Sequence, residues 1–117
     1  MKLTNAQILE SVQILAKAEE KGFLGFVIAQ NRRKLLNEVE DYSVKRDELL
    51  QKHGTDLGDG RFTLKAENLA AFEAELRPYA EMEVDVSVVQ VEPDVFCSGD
   101  LTSSQMYALG WMVKGDD

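Results

Sequence analysis

Residues 26–54 read FVIAQNRRKLLNEVEDYSVKRDELLQKHG. Ile28, Leu35, Val39, Tyr42 and Leu49 fall on one stripe at helical spacing; Leu36 and Leu50 widen it, and Arg32 and Arg46 occupy two of its positions. From Leu35 to Leu49 the steps alternate four and three, a coiled-coil-like rhythm held for two heptads only. The ending Gln51-Lys52-His53-Gly54 places cations at the negative end of the helix dipole and a glycine after it. This spacing predicts one helix, about 40 Å long at 1.5 Å per residue.

Working upstream, a second amphipathic pattern precedes it. Thr4 and Gln7 form a capping box, Leu3 and Ile8 sit where a hydrophobic staple would place them, and Ile8, Leu9, Val12, Leu15 and Ala16 make a one-sided stripe. Lys21 and Gly22 supply a stop, so the first helix is expected over residues 5–21, about 25 Å long. Gly22-Phe23-Leu24-Gly25 then reads as a connector, and one so short makes the two helices an antiparallel hairpin. The rods are unequal. Roughly 15 Å of the longer one, carrying Tyr42, Leu49 and Leu50, extends past the shorter and needs cover from the rest of the chain or from another subunit.

Downstream, residues 54–60 read as a turn-rich loop and Arg61–Leu64 as a short strand. A third helix is expected near 65–77, with Leu69, Phe72 and Leu76 on one face and Pro78 ending or kinking it. Glu83–Val88 alternates, with Val84, Val86 and Val88 on one side and Glu83, Asp85 and Ser87 on the other; it is the best strand in the chain. Its phase slips at Val88-Val89, which marks a bulge or the strand's end, and Pro93 breaks what precedes it. Leu101-Thr102-Ser103-Ser104-Gln105-Met106 repeats the capping box and staple of Leu3–Ile8, but the residues beyond do not match, so this is shared capping chemistry rather than an internal repeat. The expected fold is mainly α with a small β element, an α+β class. It is a single domain over 1–117: a helical hairpin (5–53), a strand-helix-strand unit contributing one or two strands (61–91) and a C-terminal helix (101–114).

The chain has 117 residues, enough for one domain and one core without a disulfide or metal. Cys97 is the sole cysteine, which fits a reducing compartment. The opening residues lead into an amphipathic helix containing Glu10 rather than an apolar leader, and the longest apolar stretch, Met106–Val113, is too short to span a bilayer. The expected location is a cytoplasm. Residues 1–34 hold six Lys/Arg against three Asp/Glu, a balance of +3; residues 35–117 hold seven against eighteen, a balance of −11. The acidic part repels a phosphate backbone, so nucleic-acid binding is disfavoured; the acidity serves solubility or imitates a nucleic acid.

No arrangement of residues points to catalysis. His53 and Cys97 would need mutual contact and a third, orienting group to act as a nucleophile pair, whereas a helix end and a small buried site explain each of them. Asp56-Leu57-Gly58-Asp59-Gly60 fails as a calcium loop, because Gly58 and Gly60 stand where ligands belong and Arg61 where the turn glycine belongs. Asn31-Arg32-Arg33-Lys34 is expected to be a solvated helix face with partners such as Glu38. The acidic run Glu73, Glu75, Glu81, Glu83 and Asp85 also reads as solvated. The reading is therefore of a non-enzyme without cofactor, metal or small-molecule substrate, working through a protein partner or self-association. The last helix lacks a polar face: Met106, Leu109 and Met112 line one side, Tyr107 and Trp111 another. Either both sides are internal, or Tyr107, Trp111 and Met112, with Leu49 and Leu50 of the overhang, form a partner-binding surface.

Several stretches in order carry a resemblance. They are Met1-Lys2-Leu3-Thr4-Asn5; Ala29 through Leu35; Tyr42, Arg46, Leu49-Leu50 and Lys52-His53-Gly54; Glu67-Asn68, Phe72 and Glu75-Leu76; Glu83-Val84-Asp85-Val86; and Leu101-Thr102 with Leu109. Together they resemble small uncharacterised proteins of tailed phages and prophages of Gram-positive bacteria, departing from them where Gly22–Gly25 replaces a proline-containing turn. The resemblance implies a phage or prophage origin, a role in virion assembly or as an accessory factor, and a location in the cytoplasm of a bacterial host, with association with a virion left open. It transfers no catalytic residue. The alternative function is an acidic inhibitor of a host nucleic-acid enzyme, which requires carboxylates of residues 67–100 in spaced rows on one surface.

Overall fold

In the computed structural model, which describes residues 1–18 and 20–115, the elements run β1 (Lys2–Thr4), α1 (Asn5–Lys17), α2 (Gly22–His53), β2 (Thr55–Gly58), β3 (Arg61–Thr63), α3 (Ala66–Ala80), β4 (Glu83–Asp85), α4 (Pro93–Phe96) and α5 (Ser103–Ala108), followed by a 3-10 turn at Gly110–Met112. The fold is mainly helical, with two small antiparallel two-stranded sheets, β1–β4 and β2–β3.

Both capping boxes form. Thr4 Oγ1 accepts from the Gln7 N–H at 3.1 Å while Gln7 Oε1 accepts from the Thr4 N–H at 2.8 Å, and Thr102 with Gln105 repeats the pair. α1 packs on α2 through Ile8, Val12 and Leu15, which join Leu24, Val27, Ile28, Leu35 and Val39 in the core. Burying each such aliphatic side chain stabilises the fold by about 1.5–3 kcal/mol. The turn between these helices lies four residues earlier than the glycines suggest. α1 stops at Lys17, and Gly22–Gly25 form the first turn of α2, with Leu24 buried. Gly25 belongs in that turn because a Cβ there would strike the Glu20 carbonyl.

The far half of α2 is covered from within the chain. Phe72, Glu75 and Tyr79 of α3 meet His53, Lys52 and Lys45 in that order, so α3 lies antiparallel along this half, where Tyr42 and Leu49 are buried. Pro78 does not end α3. The helix continues to Ala80 because tertiary and capping bonds hold its last turn: the Glu81 N–H donates to the Arg77 carbonyl, and Asn5 Nδ2 donates to the Tyr79 carbonyl at 2.9 Å.

The expected loop at 54–60 is half of a hairpin. Thr55 pairs with Thr63, Asp56 with Phe62 and Gly58 with Arg61, with a register shift at Gly58. Its two turn residues, Asp59 and Gly60, both take positive φ, as a tight hairpin turn of matching twist requires.

The strand expected at Glu83–Val88 pairs as backbone ladder only over Glu83–Asp85, against Lys2–Thr4. Beyond it the extended chain changes partner twice. The Val86 N–H donates to the Met1 carbonyl; Val89 exchanges two hydrogen bonds with the Asn31 side chain; and Val91 pairs with the backbone of Met112 and Lys114. The phase slip at Val88-Val89 is this handover: Val86 and Val91 are buried, and Val88 and Val89 half-buried.

The C-terminal helix expected over 101–114 is shorter and broken. α5 spans two turns, Gly110 leads into the 3-10 turn, and Leu109 and Met112 enter the core.

Candidate functional site

The surface with the strongest binding character lies where α5 crosses α1. Leu101 and Leu109, both buried, bracket α5, and the Thr102 capping box fixes its start. Behind it the Trp111 indole Nε1–H donates to Ser11 Oγ at 3.0 Å, and Gln90 Nε2 donates to the Trp111 carbonyl at 3.0 Å. These bonds hold α5 and the 3-10 turn against α1. The helix then turns its remaining side outward. Tyr107 is 92% exposed beside an open groove of about 500 Å³, walled by Glu10 and Ile14 of α1 and by Ser103, Gln105 and Ala108 of α5. The groove offers apolar floor, hydroxyl and amide rims, and a free aromatic ring. Among the described residues that line it, Glu10 and Tyr107 are the titratable ones.

The other residues expected at a partner surface divide. Met112 has no exposed surface and Leu49 is buried, so both belong to the interior and leave the binding surface. Trp111 is half-buried and spends its N–H on Ser11, and Leu50 is half-buried beside a shallow cleft formed with Phe62 of the hairpin. Only Tyr107 of the five stands free. The apolar wheel of residues 106–113 concealed this, because the helix ends at Ala108 and the faces of 109–113 are set by a 3-10 turn instead.

His53 and Cys97 are not brought together. His53 closes α2, with Nε2 at 3.0 Å from Glu75 Oε1, the same oxygen that accepts from Lys52 Nζ at 2.7 Å. The hydrogen bond from Lys52 holds the Glu75 carboxyl below its usual range, with the His53 bond and both neighbouring charges acting in the same direction against partial desolvation. Cys97 is exposed just before Gly99 and Asp100, which lie against Glu20 at the opposite end of α2. Burial raises the Tyr42 hydroxyl above its ordinary value, opposed by the Arg46 charge. Among the described residues no group of three His, Cys, Asp or Glu side chains could hold a metal ion, and no helix is long and apolar enough to cross a membrane.

Asn31 is the residue that sequence reasoning missed. Grouped with the basic run, it sits instead wholly buried on the core stripe between Ile28 and Leu35, where its amide serves both polar groups of Val89. The steps 24, 28, 31, 35, 39 and 42 mark it, a polar side chain in an apolar series. The basic residues beside it also differ from expectation: among the described residues, Arg32, Arg33 and Lys34 form no ion pair with Glu38 or any other carboxylate. Several carboxylates of the acidic part are, by contrast, engaged: Glu75 by Lys52 and His53, Asp85 by the N-terminal ammonium at 3.1 Å, and Glu92 by Lys114 at 3.2 Å. Compared with protein-family models, curated proteins and solved structures, the chain matches none.

Proposed function

We propose that this is a phage- or prophage-encoded binding protein, without enzymatic activity, that acts in virion assembly or as an accessory factor by holding another protein. The phage origin is supported by the resemblance of the sequence. The binding role is supported by one observation above the rest: a tyrosine at 92% exposure over a preformed groove, on a helix fixed by a capping box and by the Trp111–Ser11 bond. A rigid scaffold presenting a free aromatic side chain loses little conformational freedom on docking, and aromatic anchors carry much of the energy of protein interfaces. The mimicry alternative receives less support, because Glu75, Asp85 and Glu92 are tied to cations of the same chain.

The test is affinity capture from phage-infected bacterial cells with the wild-type chain and with Tyr107→Ala. The reading requires a phage or host protein retained by the first and lost by the second, with circular dichroism unchanged. Equal retention by both removes the groove from the interface.

A further inference from the structure

Opposite its core stripe α2 presents an exposed side. Phe26, Ala29, Arg33, Leu36, Glu40 and Val44 recur there at steps of three and four, opposite the buried Leu24, Asn31, Leu35 and Tyr42. Phe26 is 60% exposed, Leu36 42% and Val44 55%. Around Leu36 the charges are segregated: Arg32, Arg33 and Lys34 precede it and Glu38, Glu40 and Asp41 follow it, with the mixed run Lys45, Arg46, Asp47 and Glu48 only beyond Val44. Among the described residues none of the six around Leu36 forms an ion pair. Arg33 and Glu40 also cannot meet within one helix, being about 10 Å apart along its axis.

We propose that this face pairs two copies of the chain, through antiparallel α2 helices related by a twofold axis beside Leu36 and Asn37. A position before the axis then faces the equally distant position after it in the second copy. Arg33 meets Glu40 of the second copy and Ala29 meets Val44, each contact made twice by the symmetry, and the two Leu36 side chains flank the axis. The basic block of each helix lies against the acidic block of the other. Parallel pairing would set like charges together and is disfavoured. One helix pair falls in the small, weak class of interfaces, under about 1,200 Å² in total, so the association is concentration-dependent. The inference deepens the binding-protein reading by naming a second copy as one partner, but it uses a face remote in sequence from Tyr107.

Sedimentation equilibrium of the full chain, from micromolar to millimolar concentration, tests it. Wild type is expected to dimerise, with weaker association as salt rises. Arg33→Glu and Glu40→Arg, each at an exposed site, are each expected to weaken the dimer about tenfold or more. The double variant carrying both is expected to restore it, and Tyr107→Ala to leave it unchanged. A monomer at every concentration overturns the proposal, as does a dimer indifferent to both single reversals or single losses that the double variant fails to repair. Loss of the dimer in Tyr107→Ala also overturns it, by placing self-association in the groove. A monomer that still captures a partner through Tyr107 would sink this inference while leaving the binding-protein reading intact.

Discussion

Asn31 shows how one buried amide can do the work of a strand. Its oxygen accepts from the Val89 N–H at 2.8 Å and its nitrogen donates to the Val89 carbonyl at 2.9 Å, matching what a neighbouring peptide unit would offer. Replacing it by leucine leaves both half-buried Val89 groups without their partner. The expected loss is about 2–4 kcal/mol in urea unfolding, since each buried unsatisfied group costs roughly 1–3 kcal/mol. Met112 and Tyr107, which the sequence groups on one helix, are expected to part company in the same assay. Met112→Ala should cost about 2–4 kcal/mol through the cavity it leaves, and Tyr107→Ala about 0.5 kcal/mol or less. Glu75 provides a pH signature. Its carboxyl is depressed in the folded chain, so its contribution is present above the unfolded value of about 4.3 and is lost as pH falls through the lower folded one. Wild type should therefore lose more stability than Glu75→Gln on acidification from about pH 5, and the two curves should converge; parallel curves would show that the Lys52 and His53 contacts do not persist in solution. At this scale the sequence was informative about apolar residues and silent about Asn31 and Glu75, whose roles depend on partners 58 and 22 residues away.

At the scale of elements, legibility followed the range of the forces involved. The capping boxes at Thr4 and Thr102 and the apolar stripe Ile28, Leu35, Val39, Tyr42 and Leu49 are local signals and appear as read, but Arg32 and Leu36, also read onto that stripe, are exposed, and Asn31 holds the place given to Arg32. The continuation of α3 past Pro78 and the break of the last helix after Ala108 are set by distant contacts, and both, like the early end of α1, depart from the reading. The hairpin was legible but missed: Asp59-Gly60 between Thr55–Leu57 and Arg61–Thr63 is a two-residue turn signal, masked by the surrounding glycines. Because Gly60 takes a φ of 74°, Gly60→Ala is expected to destabilise the hairpin by about 1 kcal/mol. Amide exchange of Thr55–Thr63 should accelerate while exchange in α1 stays as before; acceleration throughout would mean that the hairpin is part of the main cooperative unit.

The whole molecule is elongated, 46 × 29 × 23 Å, and its interior is unevenly distributed. One connected core joins α1, the first two-thirds of α2, the Val86–Val91 segment and the C-terminal residues, while Leu49 and Phe72 are buried outside it. The unequal rods foreseen from residues 5–53 are present, but the overhang is covered by α3 of the same chain, so it gives no reason for a second subunit. That outcome depended on the packing of residues 66–80, which periodicity cannot place. Fewer buried contacts hold the His53 end, and it is expected to open first. Native-state amide exchange should show residues 45–64 opening at lower free energy than Ile8–Leu15 and Ile28–Val39. Equal protection along α2 would contradict this.

Val84–Val91 holds five valines and a single charge in eight residues, the composition of a segment prone to stack with its own kind in fibrils. Its successive bonds to Met1, Asn31 and Met112 occupy its backbone with three dissimilar neighbours, and none of them leaves a continuous row of vacant amides to act as a template. The switching of partners therefore leaves this segment without the open ladder that such stacking needs. The carboxamide of Asn31 occupies its middle, so the residue that completes the interior also closes Val89 to a second strand.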